Sequence, residues 1–148
     1  MRFKFKLESL LSHRQFVEDV IQKEYVLAGR RLTEEKQVET HLREKHAHLA
    51  AQLKQNLREP KPVSENRLYV TYLSCLSDRI VRQQRKIQET ESERSEKKIA
   101  LLRAVKKRKI LERLKETHAD RHRQLHLKTE QEISDEIGIQ QFNRKTGS

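Results

Sequence analysis

The sequence Glu59-Pro60-Lys61-Pro62-Val63-Ser64 interrupts a chain that otherwise has no proline and only three glycines. Two prolines within three residues stop a helix, because each lacks an N–H donor and biases the residue before it toward extended backbone. Ser64 is placed to cap a new helix, with Glu65 in its first turn, where the helix dipole favours negative charge. Val63 and Leu68 have the N′ and N4 spacing of a hydrophobic staple around that cap. The pattern predicts helix, tight reversal, helix.

The apolar residues on either side suit long helices. In the first half, Leu7, Leu10, Leu11, Val17, Val20, Ile21, Leu27, Ala28, Leu32, Val38, Leu42, Leu49, Leu53 and Leu57 step mostly by three or four. Such spacing makes one stripe along a helix of about fifty residues, roughly 75 Å long. In the second half, Leu68, Tyr69, Tyr72, Leu73, Leu76, Ile80, Ile87, Leu101, Val105, Leu111, Leu114 and Leu125 carry the matching stripe. A reversal at Lys61 sets Leu53 against Tyr69, Leu49 against Leu73, Leu42 against Ile80, Ile21 against Leu101 and Val17 against Val105. Apolar then meets apolar at both ends, as an antiparallel coiled coil requires. A composition of 34% hydrophobic and 37% charged residues, without tryptophan, can fill a narrow seam but not a broad core.

The expected architecture is all-α: one coiled-coil domain over residues 1–148, an antiparallel two-helix hairpin whose second helix is the longer. Helix 1 is expected over about 5–58, the turn over 59–64, helix 2 over about 65–143 and a flexible tail over 144–148. Phe3, Phe5 and Leu7 alternate with lysines, which suits either an extended segment or a frayed helix start. From Gln88 to Lys98 the second helix has no apolar residue, so a thin seam is expected there. Residues beyond about His118 have no counterpart on helix 1 and are expected to project alone.

Charge is concentrated in one stretch. Between Lys97 and Lys128 there are twelve Lys and Arg against three acidic residues, so nine of the eleven net positive charges lie there. Such a field is a solvated face or meets an acidic partner surface. The block Lys106-Lys107-Arg108-Lys109 has the composition of a nucleic-acid patch. However, Glu112, Glu116 and Asp120 interrupt it, its apolar neighbours belong to the seam, and it lacks aromatic residues for base stacking. A basic nucleic-acid-binding coil and a purely structural dimerising rod are the alternative readings.

Catalytic signatures are missing: no Gly-rich phosphate loop, no nucleophile elbow and no cysteine pair. His118, His122 and His126 share a helix face, yet no carboxylate or thiol completes a ligand set among them. No metal or cofactor is expected. Cys75, the single cysteine, lies among apolar neighbours and reads as a buried structural thiol. No apolar run approaches a membrane span, and the start Met1-Arg2-Phe3-Lys4 lacks an apolar signal segment, so a soluble cytoplasmic protein is expected. On the second helix, Leu68 to Ile80 crowds in more apolar residues than one seam can hide, which predicts an exposed binding patch at the turn end.

The two ends of the chain carry a resemblance. The opening Phe3-x-Phe5-x-Leu7-Glu8-x-Leu10-Leu11-x-x-Arg14 is similar to the start of the flagellar export protein FliJ family. The closing Asp135-Glu136-x-x-Ile139-x-x-Phe142-Asn143-Arg144 resembles that family's end, with Gly138 where the family often has alanine. The resemblance implies a non-enzymatic component of the flagellar type III export apparatus, similar in fold to the two-helix coil of the rotary ATPase gamma subunit. It further implies contact with the hexameric export ATPase and with the membrane export gate, escort of export chaperones, and a place at the cytoplasmic face of the inner membrane without insertion into it. With the basic stretch, the overhang beyond His118 and the family-like ends taken together, Phe3, Phe5, Leu7, Arg14, Arg103, Lys106, Lys107, Arg108, Asp135, Glu136 and Phe142 are expected to meet the ATPase. Leu42, Leu49, Tyr69, Tyr72 and Leu76 are expected to meet the gate.

Overall fold

The computed structural model describes residues 2–147. Two α-helices, α1 (Glu8–Asn56) and α2 (Val63–Thr146), pack against each other as an antiparallel coiled-coil hairpin, the second much the longer. No described residue is in a strand. By its contacts the chain divides into two compact units, a terminal unit of Met1–Glu18 with Arg103–Ser148 and a turn unit of Asp19–Leu102.

The reversal forms as the prolines demand, with different capping. The last turn of α1 tightens through Arg58 N–H to the Gln55 carbonyl (3.1 Å) and Glu59 N–H to the Asn56 carbonyl (3.2 Å). Asn56 is buried, and its Oδ1 accepts a hydrogen bond from Lys61 Nζ at 2.9 Å. At the start of α2, the Pro62 carbonyl accepts from Glu65 N–H at 3.2 Å. The helix therefore starts at Val63, directly after a proline whose fixed φ suits a helix entry, and Ser64 lies inside the first turn instead of capping it. Val63 and Leu68 are 71% and 72% exposed, so no staple forms. At the other ends, α1 begins at Glu8 instead of residue 5, and α2 runs through Gly138 to Thr146, making residues 144–146 helical.

In the turn unit the seam of α1 runs through Ile21, Tyr25, Ala28, Leu32, Glu35, Glu39, Leu42, His46, Leu49, Leu53 and Asn56, with Gly29 and Ala50 half-buried beside it. The seam of α2 runs through Tyr69, Leu73, Leu76, Ile80, Gln83, Ile87, Thr90, Arg94, Lys97 and Leu101, with Asn66, Gln84 and Ala100 half-buried beside it. Both series alternate steps of three and four without a break, the heptad period of a left-handed supercoil. This corrects the stripe expected for α1. Leu27 (50%), Val38 (46%) and Leu57 (66%) are exposed, whereas Glu35, Glu39 and His46 occupy seam positions. The apolar pattern of the sequence drifts around the helix, but a supercoil buries every third and fourth residue whatever its chemistry.

Several seam positions that receive polar residues find partners across the hairpin, although the buried Nε of Arg94 has none. Gln83, buried, donates its amide to the Glu35 carboxylate and to the Glu35 backbone carbonyl at 2.9 Å. Its neighbour Gln84 donates to Glu39 at 3.3 Å, and Lys86 pairs with Glu35 at 3.3 Å. Gln83 foremost, then Lys86, holds the Glu35 carboxyl below its ordinary range against a smaller opposing effect of burial. Arg43 foremost, then Gln84, does the same for Glu39. In the stretch expected to have a thin seam, the Arg94 guanidinium lies over the Tyr25 ring, 5.3 Å from its centroid, and bonds its hydroxyl at 3.3 Å. Lys97 meets Glu24 at 2.9 Å. His46 bonds Ser77 at 3.1 Å. These pairs follow the register expected from a reversal at Lys61.

Candidate partner-binding surfaces

The terminal unit closes on a small apolar cluster. Phe5, Leu11 and Leu111 are buried together, with Phe3 and Leu114 packed against them. Phe5 and Phe3 come from an irregular N-terminal arm, residues 2–5, that continues past the start of α1 along α2. The Phe5 ring meets His118 edge-on at 5.9 Å, and Phe3 meets His122 at 5.6 Å. The arm therefore covers α2 as far as His122, beyond the His118 limit set by helix lengths alone. His118 and His122 serve as aromatic contacts, and His126 pairs with Glu130 at 3.2 Å.

The basic block divides into two sets of side chains. Arg108 turns inward to pair with Glu18 and, at 2.7 Å, with Glu112. Glu18 first and Glu112 second raise the guanidinium pKa above its already high value, so Arg108 is a fixed internal cation. Lys115 reaches Glu8 at 2.8 Å. Arg14 is half-buried at a seam position. Arg103, Lys106, Lys107, Lys109 and Arg113 are exposed, and no ion pair within the chain neutralises any of them among the described residues. They surround Ile110, which is 67% exposed.

Beyond the arm, every described residue from Arg123 to Gly147 is exposed. This bare helix carries Leu125 (66%), Leu127 (58%), Ile133 (52%), Ile137 (50%), Ile139 (60%) and Phe142 (66%). Six large apolar side chains on an uncovered helix exceed what solvated surfaces usually scatter singly. Asp135 and Glu136 are exposed on the same segment. The residues expected to meet the ATPase thus share the terminal unit but not one role. Leu7, Arg103, Lys106, Lys107, Asp135, Glu136 and Phe142 are open; Phe3, Arg14 and Arg108 are partly covered; Phe5 is 8% exposed and belongs to the unit's own core. Ile133 and Ile137 lie outside the expected stripe, which ends at Leu125, and only their exposure on the bare helix singles them out.

At the turn end the expected patch needs correction. Leu76 is 1% exposed, the largest fully buried side chain, and cannot face a partner. Leu42, Leu49 and Tyr69 are half-buried seam residues. Tyr72 is exposed (42%), as are Leu68 and Val70. Cys75 is exposed as well, against the expectation of a buried thiol, because it falls one position before the seam residue Leu76. Leu68, Tyr72 and Cys75 follow at intervals of four and three, which aligns them on one outward face.

A hairpin of this kind, with open apolar and basic faces among its described residues, is an all-α coiled-coil protein. The sequence matches the flagellar FliJ protein family over residues 3–147, and the chain belongs to that family. Membership places its work in flagellar export. No curated protein and no solved structure matches the chain. Among the described residues no group of His, Cys, Asp and Glu could hold a metal ion, and no helix is long and apolar enough to cross a membrane.

Proposed function

We propose that this chain is the central stalk of the flagellar type III export apparatus. Its terminal unit binds the hexameric export ATPase, its turn unit meets the cytoplasmic domain of the membrane export gate, and it escorts export chaperones at the inner face of the membrane. The observation that carries this reading is the bare end of α2, a helix with six exposed apolar side chains, in a chain of the FliJ family. The central hole of a ring accepts a two-stranded coil about 20 Å wide, and unequal helices let such a coil touch the ring's subunits one at a time. The stalk acts without catalysing a reaction itself.

The contact residues follow from exposure. On the ATPase side, Arg103, Lys106 and Lys107 supply charge and Phe142 with Ile139 supplies apolar area, while Phe5 and Arg108 keep the unit folded. On the gate side, Tyr72 and Leu68 take the place of Leu76. Lys106→Glu with Lys107→Glu changes two side chains that hold no internal partner, so helicity is expected to stay unchanged while stimulation of the ATPase is lost. Stimulation equal to that of the unmodified chain refutes the assignment.

A further inference from the structure

We propose that in the absence of other partners the terminal unit pairs with a second copy of itself, α2 against α2 in antiparallel orientation about a two-fold axis near Asp120. Two oppositely charged windows on the same helix carry the inference. Residues 103–113 present five exposed cations without internal partners, Arg103, Lys106, Lys107, Lys109 and Arg113. Residues 127–137 present four exposed carboxylates, Glu130, Glu132, Asp135 and Glu136, against one exposed cation, Lys128, and Glu130 pairs with His126 of its own chain. The windows lie at equal distances on either side of Asp120, each beginning about 10 Å and ending about 25 Å from it along the helix.

That symmetry is what an isologous interface requires, since each patch must meet its complement on the other copy twice. Antiparallel pairing about Asp120 lays each basic window on the other copy's acidic window. A parallel, in-register pair would set like charges together, which is unfavourable. Apolar contacts agree with the charges. Ile110, 67% exposed among the cations, falls at the level of residue 130 of the other copy, about one turn from Leu127, which is 58% exposed. At the axis Asp120 meets Arg121 or Arg123 of the other copy, and it is already drawn to Arg123 of its own chain at 3.7 Å. The geometry is permitted because the cations point away from α1, whereas the acidic window is open on every side. The seam with α1 and the arm contacts at His118 and His122 stay intact.

The test is sedimentation equilibrium of the full-length chain and of two variants. One carries Lys106→Glu, Lys107→Glu and Lys109→Glu; the other carries Glu132→Lys, Asp135→Lys and Glu136→Lys. The unmodified chain is expected to dimerise reversibly with rising concentration. Each variant alone is expected to remain a monomer of unchanged helicity, and an equimolar mixture of the two is expected to regain a heterodimer. Orientation is read in a Cys75→Ser background: a chain with Lys106→Cys is expected to form a disulfide with a chain carrying Asp135→Cys, and not with its own kind. A monomer at every concentration overturns the proposal, as does a mixture that fails to pair or a disulfide between like positions. Binding of a DNA duplex or of anionic vesicles to residues 103–113 with the chain remaining monomeric overturns the choice of occupant.

Discussion

Replacing Leu76 with alanine tests whether the turn end of the hairpin is a core or a docking patch. Leu76 is 1% exposed at a seam position, whereas Tyr72, one turn before it, is 42% exposed. Leu76→Ala removes three carbons, and at about 0.8 kcal/mol per buried methylene the transfer loss is about 2.4 kcal/mol. A cavity term adds to this, limited here because Leu73 and Ile80 are only half-buried and can settle into the space. The expected cost is about 3 kcal/mol. Tyr72→Ala leaves the seam in place and is expected to cost about 1 kcal/mol. Urea unfolding followed by circular dichroism measures both, and amide exchange over residues 69–87 shows whether the loss is local to the turn unit. A cost below about 1 kcal/mol for Leu76→Ala, or equal costs for the two variants, would refute the assignment of Leu76 to the core.

Gly29→Ala is expected to stabilise the chain by about 0.5–1 kcal/mol, because Gly29 has ordinary helical backbone and an added Cβ would meet Arg94 at a comfortable 3.6 Å. Gly138→Ala, with nothing within 4 Å of the added carbon, should raise helix content at the bare end of α2; thermal melts by circular dichroism read both. Glu35 and Glu39 have lowered pKa values when folded, so their stabilising contribution is complete above the unfolded carboxylate value of about 4.3 and disappears as the pH falls through the lower folded values. Urea midpoints between pH 7 and pH 3 should therefore decline most steeply below about pH 4, and less steeply in the double variant Glu35→Gln, Glu39→Gln.

The hairpin was legible because its signals are local. Pro60 and Pro62 break the chain wherever they stand, and the absence of other breakers leaves two long helices. The register followed too, since a reversal at Lys61 fixes which residues can meet. Burial at each position did not follow. Leu27, Val38 and Tyr72 look like core residues by type yet are exposed, whereas Glu35, Gln83 and Arg94 look like surface yet lie in the seam. A supercoil fixes its buried positions by a seven-residue period over the whole length of two helices, so one side chain's place depends on the phase set by all the others. The basic block shows the same division. Its composition announced a charged face, but only packing showed Arg108 held between Glu18 and Glu112 while its neighbours stay free. Phe3 and Phe5 were visible as an apolar pair, but their capture by His122 and His118 needed the arm to pass beyond α1, a path that periodicity does not encode. Sequence alone determined the helices, their reversal and their register, because these rest on backbone chemistry and local spacing. The tertiary structure decided which side chains are core and which remain open to partners, because that depends on the common phase of two helices distant in the chain.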